Sequence, residues 1–482
     1  MRSRGRVFSV VLGLALLVAG AVTLGRPSSI VATRSPARGA AEELEEQKET
    51  TEQRLEALEQ ARAAGTFGMH EPISREPAPG WVGERLFNPK TDDWEPAVAA
   101  DPRDPFVYII TTRYGEPKPC PGNCPTPYIA LEISKDGGKT WSDGKPLCAC
   151  KGSGQFDPII EVVPNTGDVY ALYMNGYNVV FVKSTDHGKT WSEPIPTYGK
   201  VSWNDKPVLT TDESGRHLYA SWNGPQGGDP WIAQSHDYGE TWTQAKVVDS
   251  KRYFFAYDAR VLPGGTIVFS ESSLSYTGPG ASAEGQVWHH ALISRDRGTT
   301  WENVVVDRVE LGEPCVAYGC YADFYAGQTS VSQDANGNLV FAYEGAKVNY
   351  GKQRIYVRTS TNDGRTWGPR VALSPRDEMA TGPRLDAFRH ETRIWYMQTN
   401  EGNHNRWNVW YRTSNDGGST WTAPARISDA TSGARYKFEE GFKEVYGDYG
   451  EIDVTSAGKT IAAWGEGFSW IGPGGTWFNL QR

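Results

Sequence analysis

Six copies of one octapeptide, Ser-x-Asp-x-Gly-x-Thr-Trp, dominate the chain. They are SKDGGKTW at Ser134–Trp141, STDHGKTW at Ser184–Trp191, SHDYGETW at Ser235–Trp242, SRDRGTTW at Ser294–Trp301, STNDGRTW at Ser360–Trp367 (Asn362 replacing Asp) and SNDGGSTW at Ser414–Trp421. Their starts lie 50, 51, 59, 66 and 54 residues apart, each copy between strand-like runs. A repeat of that period marks a radial array of small sheets, an all-β propeller. The octapeptide reads as a turn: Asp or Asn accepts from backbone N–H groups two residues on, Gly supplies positive φ, and Trp packs under the next blade.

A second repeat, a short strand, a turn and an aromatic-rich strand, precedes each octapeptide. Its copies start at Glu95, Asp157, Lys206, Asp258, Gln328, Pro383 and Gly450, seven against six octapeptides. After the seventh, Thr476 to Arg482 supplies one strand only, so Gly83 to Asn88 is expected to pair beside it, near Trp477, and close the ring without open edges. The expectation is seven blades over residues 82–482, with six as the alternative.

The octapeptide is the Asp-box, and the chain resembles the Asp-box (BNR-repeat) propellers of the sialidase superfamily from roughly Gly83 to Arg482. The resemblance implies that the Asp-boxes are structural and lie away from the active face, so none of their aspartates is a catalytic candidate. It is specific for fold and weak for activity, because function lives in sites grafted on folds.

With strands lettered A to D outward from the axis, A–B connections and Asp-boxes share one face and are short. The long connections, 115–127, 272–286, 304–325 and 428–446, lie on the other face, where binding on a rigid scaffold usually resides. A strands begin there with Glu95, Asp157, Asp205, Asp258, Gln328, Arg384 and the group Asp448, Tyr449, Glu451; B strands end there with Arg113, Glu271, Glu344 and Glu466. The resemblance places Tyr449 at a sialidase nucleophile position, with Glu451, Glu466 or Glu444 as its base. The family's first arginine motif is replaced by Glu95-Pro96, and Arg113, Arg260 and Arg384 are the arginines within reach of the funnel. Three function classes follow: a sialidase; a glycosidase on a neutral sugar using two of Asp157, Asp205, Asp258 and Glu271; or a non-catalytic surface module binding glycan or protein, with a cation held by the acids as a variant.

Arg2, Arg4 and Arg6 before the uncharged run Val7–Leu24 read as a signal peptide or membrane anchor over 1–25, so the propeller is expected outside the cytoplasm, secreted or anchored. No Cys follows the run, which argues against a lipoprotein anchor. Residues 26–81 read as a helical stalk (Ala40 to Ala64, solvated) and a Pro-containing linker. The six Cys fall into two clusters, Cys120, Cys124, Cys148 and Cys150, then Cys315 and Cys320; disulfides fit the compartment, with zinc as the alternative for the first four. A net charge of −9 without a basic patch argues against nucleic acid. A monomer that binds a glycan without a cofactor is the expectation.

Overall fold

The computed structural model describes residues 40–65, 76–115, 125–147, 154–201, 203–224, 228–276, 283–312, 327–400, 403–428, 450–467 and 474–482. The side chains of 40–50, 276, 283–284, 400, 403–406, 466–467 and 474 are outside this description. All six Cys and Tyr449 also lie outside it, so the disulfide and nucleophile expectations fall on undescribed residues.

The described strands pair antiparallel into sets of four. The first set is Asp92–Ala100, Val107–Tyr114, Tyr128–Ser134 and Lys145–Pro146; the second is Gln155–Val162, Val169–Asn175, Val179–Ser184 and Ile195–Pro196. The third is Asp205–Thr211, Leu218–Asn223, Pro230–Ser235 and Thr243–Lys246; the fourth is Tyr253–Val261, Ile267–Tyr276, Ala283–Ser294 and Glu302–Glu310. The fifth is Thr329–Gln333, Leu339–Ala346, Gln353–Ser360 and Val371–Ala372; the sixth is Ala380–Phe388, Glu391–Asn400, Asn403–Ser414 and Ala425–Arg426. Glu451–Val454, Thr460–Gly467 and Gly474–Leu480 form the last set together with Arg85–Leu86, which pairs with Phe478 and Trp477. One pair, Glu310 with Ala346, joins the outer strand of the fourth set to the end of the second strand of the fifth.

The inner strand of each set packs on the inner strand of the next, and that of the last set packs on that of the first. The ring is therefore closed. Apolar clusters lie between neighbouring sets: Tyr108, Ile110, Ile129 and Leu131 meet Ile160, Val169 and Val182. The N-terminal closing segment is held by more than its two strand residues. Val82 N donates to Leu480 O at 2.9 Å, Phe87 N to Thr476 O at 2.8 Å, and Arg482 N to Gly80 O at 2.7 Å. Trp81, at the end of the expected linker, is buried among Trp395, Trp464 and Trp477.

The Asp-box turns repeat one hydrogen-bond pattern. In the second set, Ser184 Oγ donates to Asp186 Oδ1 at 2.8 Å and accepts from Gly188 N at 2.9 Å; Asp186 accepts from Thr190 N at 2.9 Å and Thr190 Oγ1 at 2.7 Å. The aspartate thus reaches four residues on, to the Thr, rather than two. Asn362 keeps the pattern by accepting from Thr366 N at 3.0 Å and donating Nδ2 to Thr366 Oγ1 at 2.9 Å. The position before each second-half Gly has positive φ, as at His187 (59°) and Tyr238 (63°). The Trp packs on the preceding set, not the next: Trp242 lies 5.4 Å from Phe181, and Trp141 lies 5.5 Å from Phe478 of the last set.

Two further expectations are corrected. The stretch 304–325 is not all connection, because Val306 and Val309 are buried in the strand Glu302–Glu310, and much of 272–286 continues the hairpin of the same set. Helix α1 (Ala40–Ala63) forms where expected, but Thr51, Arg54 and Leu58 are buried against the sheets, so this face of it is not solvated.

Candidate functional site

Each of several inner strands carries a β-bulge near its mouth end. Register shifts fall between Trp94 and Ala97, Phe156 and Ile159, and Asp205 and Val208. Glu95, Asp157 and Lys206 occupy these bulges with φ of 54°, 50° and 52°, each followed by a Pro. Non-Gly residues seldom adopt positive φ, and bulges concentrate where a strand must re-aim a side chain.

Carboxylates at the bulge of the first set and on strands of the later sets knit neighbouring sets together. Glu95 Oε2 accepts from Thr112 Oγ1 at 2.5 Å and from Asp157 N of the second set at 2.9 Å. Asp258 Oδ2 accepts from Ser330 Oγ at 2.6 Å and Val331 N at 3.1 Å of the fifth set. Glu344 reaches from the fifth set to the sixth, accepting from Thr381 Oγ1 and from Gly382 N at 2.9 Å, while its other oxygen accepts from Gly327 N at 2.9 Å. Glu271, fully buried, accepts from Ser221 Oγ at 3.0 Å, and burial pushes its carboxyl up to about 7. Asp205 opens the third set's inner strand opposite Asn223. Of these expected site acids, Glu95, Asp258, Glu271 and Glu344 therefore carry inter-sheet hydrogen bonds whatever else they do.

The three arginines do not converge. Arg113 is turned into its own sheet and buried, with Nε 2.6 Å from Asp93 Oδ1 and Nη2 3.0 Å from Glu132 Oε1. A guanidinium committed to two buried carboxylates is not available to a ligand, which corrects its assignment to the funnel. Arg260 Nη1 is 2.7 Å from Asp258 and its Nη2 3.6 Å from Asp386. Arg384 donates Nε to Gly450 O at 2.5 Å and Nη2 to Gln328 Oε1 at 3.1 Å.

Around Arg260 the inner strands bring together Glu161, Asp258, Asp386 and Glu451, with Asp453 beyond Asp386. Arg260 is 26% exposed and Asp386 16%, although both stand on inner strands of a closed ring; both lie within two residues of the strand end at the A–B turn, so they line an axial channel towards the Asp-box face. Burial pushes Glu161 up to about 8; Arg260 opposes this, and Asp258 and Asp386 add to it. Burial, then Asp258, raises Glu451 against the pull of Arg384 and Arg260. Burial, then Asp386, raises Asp453 well above the carboxylate range. The arrangement favours the protonated form of these carboxyls beside a paired guanidinium, which is the electrostatic preparation of an acid catalyst or a sharply polar binding floor.

Sequence reasoning found Glu451 and Asp258 from the starts of inner strands and gave Arg260 only as an arginine within reach of the funnel, whereas it stands one residue before the turn-face end of its strand; Glu161, Asp386 and Asp453 were missed. A signal existed: Glu161 interrupts the apolar run Ile159-Ile160-Glu161-Val162-Val163 on alternate strand positions from Asp157. The side chain of Glu466 lies outside the described residues. Among the described residues no group of three or more His, Cys, Asp or Glu is arranged to hold a metal ion.

The turn face is not featureless. A cleft of about 490 Å³ opens there, lined among others by Asn165, Asp212, Ser214, His217, Pro263 and Arg297.

A closed array of four-stranded sheets bearing Asp-box turns defines a propeller of the Asp-box class. The profile of the BNR repeat-like domain matches residues 117–278 and 198–440, and the chain belongs to that family. Comparison with curated proteins gives no match. Among solved structures, the chain is similar to an ulvan lyase of a polysaccharide lyase family bound to -[GlcA(1-4)Rha3S]-, at 12% identity and a TM-score of 0.50, over 83% of this chain and 94% of that one. It is also similar to YCF48 bound to D1 peptide (14%, TM-score 0.48, 86% and 98%). A Hadza microbial sialidase aligns at 15% with a TM-score of 0.44, over 74% and 73%. At these identities the likeness is one of fold.

Proposed function

We propose that the chain is an extracytoplasmic, seven-bladed propeller that takes a glycan into the funnel opposite its Asp-boxes, with Glu451 as proton donor. Residues 1–25 would export or anchor it, and 26–81 would connect that segment to the propeller at 82–482.

The observation that carries this reading is the raised carboxyl of Glu451, the first residue of the last inner strand of the closed ring, which feels Asp258 together with the opposing fields of Arg384 and Arg260. A general acid must be protonated at working pH and near a second carboxylate that remains ionised. The arginines favour a sugar without a carboxylate. Arg113 is sequestered, and Arg260 and Arg384 already have partners, so the three-guanidinium clamp of a sialoside site has no support from them.

A second reading, a non-catalytic binding module, is favoured by the inter-sheet hydrogen bonds of Glu95, Asp258 and Glu344. One experiment separates the two. Wild type and Glu451→Gln are assayed on neutral aryl glycosides and an aryl sialoside from pH 5 to 9, alongside a glycan array. The proposal expects turnover of a neutral glycoside that declines as pH rises through the raised Glu451 value, and a loss of about 10²–10⁴-fold in the variant. Array binding without turnover makes the protein a lectin-like module. Neither turnover nor binding removes the glycan reading and leaves a protein-interaction propeller.

A further inference from the structure

The fourth set carries a concentrated positive charge at its mouth end. Arg252 stands immediately before the inner strand Tyr253–Val261, Trp288 lies near the start of Ala283–Ser294, and Arg308 near the end of the outer strand Glu302–Glu310. Pairing sets Trp288 opposite Ser273 on one side and opposite Arg308 on the other. Both guanidiniums lie over the Trp288 ring, Arg252 at 4.6 Å and Arg308 at 4.1 Å from its centroid. An indole attracts a cation, but two cations held on one ring repel each other.

Nothing in the surrounding sheet neutralises the pair. Arg252 is half-buried and fixed by neutral acceptors: Nε donates to Ser273 Oγ at 2.7 Å, Nη1 to Ser275 Oγ at 3.1 Å, and Nη2 to Ser273 O at 2.7 Å and Gln286 O at 2.5 Å. Burial, then the like charge of Arg308, lowers the Arg252 guanidinium from its ordinary value. Arg308 is exposed and its guanidinium forms no ion pair among the described residues. The neighbouring acids are engaged elsewhere. Asp307 turns to the fifth set, accepting from Arg370 Nε at 2.8 Å and from Tyr343 Oη, and Glu310 accepts from Gln286 Nε2 at 2.9 Å. His290 bonds Ser273 Oγ and Asn303 Oδ1 through its two ring nitrogens; burial lowers it to about 4, with Arg252 and Arg308 adding to the shift and Asn303 opposing it. A chain of net charge −9 therefore keeps two arginines together without a counter-charge.

We propose that this patch is a subsite for an oxyanion substituent, a sulfate ester or a carboxylate, on a glycan that also enters the funnel. Arg308 offers its unpaired N–H groups to two oxygens at once, and Arg252 supplies a second charge already held in place. An anion between them offsets their repulsion, so the pair holds it more tightly than a lone exposed arginine would. The six residues from Arg252 to Asp258 cover about 20 Å of strand. A ligand engaging both the patch and the funnel carboxyls is thus a chain of several sugar units, neutral in the funnel and acidic at the rim. That the carrier is a glycan rests on the reading above; the oxyanion site does not.

The test uses the full chain. Dextran, dextran sulfate and poly-glutamate are titrated by calorimetry at fixed ionic strength into wild type, Arg308→Glu and, as a charge control on the Asp-box face, Arg365→Glu. Both arginines are exposed, so both variants should unfold in urea like wild type. Wild type should bind dextran sulfate at least about tenfold more tightly than dextran, and Arg308→Glu should lose about tenfold for dextran sulfate alone. Sodium sulfate should compete with dextran sulfate in wild type and not in Arg308→Glu. Poly-glutamate bound as tightly as dextran sulfate, with the same loss in Arg308→Glu, would keep the oxyanion site and remove the glycan as its carrier. Equal affinity for dextran and dextran sulfate, unchanged affinity in Arg308→Glu, or an equal loss in Arg365→Glu overturns the proposal.

Discussion

Replacing Trp81 by alanine tests how the ring is closed. The indole is 3% exposed, meets Tyr411 edge-on at 4.9 Å, and packs with Trp395, Trp464 and Trp477. Truncating a buried aromatic of this kind costs about 3–5 kcal/mol, a large share of the roughly 5–15 kcal/mol that holds a folded domain. The cost should be global, because Trp81 precedes the only strand that pairs with the outer edge of Gly474–Leu480 among the described residues. In urea, followed by far-UV circular dichroism on the full chain, the midpoint should fall with little change in slope. With a slope of about 3 kcal/mol/M, that shift is about 1–1.7 M. Trp81→Phe should lose less than half as much. A double-mutant cycle with Tyr411→Ala should show a coupling of about 0.5–1.5 kcal/mol. A loss below about 1 kcal/mol for Trp81→Ala would mean the N-terminal segment is an appendage and not the clasp.

The channel acids predict a pH dependence of stability with a definite sign. Glu161, Asp386, Glu451 and Asp453 all have raised folded values, so the folded chain keeps protons that the unfolded chain releases; the contribution of these four groups is full below about pH 4 and is lost as pH rises towards about 8. Buried His289 and His290, held neutral, oppose this trend below about pH 7, so thermal midpoints should decline between pH 7 and 9 and decline less in Glu161→Gln; identical slopes there would contradict the electrostatic account. Ser235→Ala removes the acceptor of Gly239 N–H (3.0 Å) in one Asp-box and should cost about 1–3 kcal/mol by thermal or urea unfolding without altering ligand binding. A variant that unfolds like wild type would show that the turn does not depend on this hydrogen bond.

The repeat made most of the fold legible. Gly83 to Asn88 was expected beside Trp477, and Leu86 pairs with it, because the seventh two-strand repeat left an edge that the chain had to cover. The direction of the Asp-box Trp was not legible, since packing on the preceding or following set looks the same from an eight-residue motif; Phe181 and Phe478 decide it. The site was half legible. Strand ends located Glu95, Asp258 and Glu344, but a strand end does not reveal whether a carboxylate points to a ligand or to the backbone of the next sheet. Arg113 misled for the same reason, its partners Asp93 and Glu132 being close only after the sheet forms. The docked face of α1 escaped because Arg54 fills a position that periodicity reads as polar, while the aromatic box that receives it comes from Trp94 and Tyr114 on two different strands.

The central claim is that ligand chemistry lies in the funnel around Glu451 and not on the Asp-box face, which offers a cleft of its own beside His217. Glycan-array binding and glycoside turnover measured in parallel for wild type, Glu451→Gln and His217→Ala decide between the faces. The account predicts loss in Glu451→Gln with wild-type behaviour in His217→Ala; loss in His217→Ala with Glu451→Gln unaffected would contradict it.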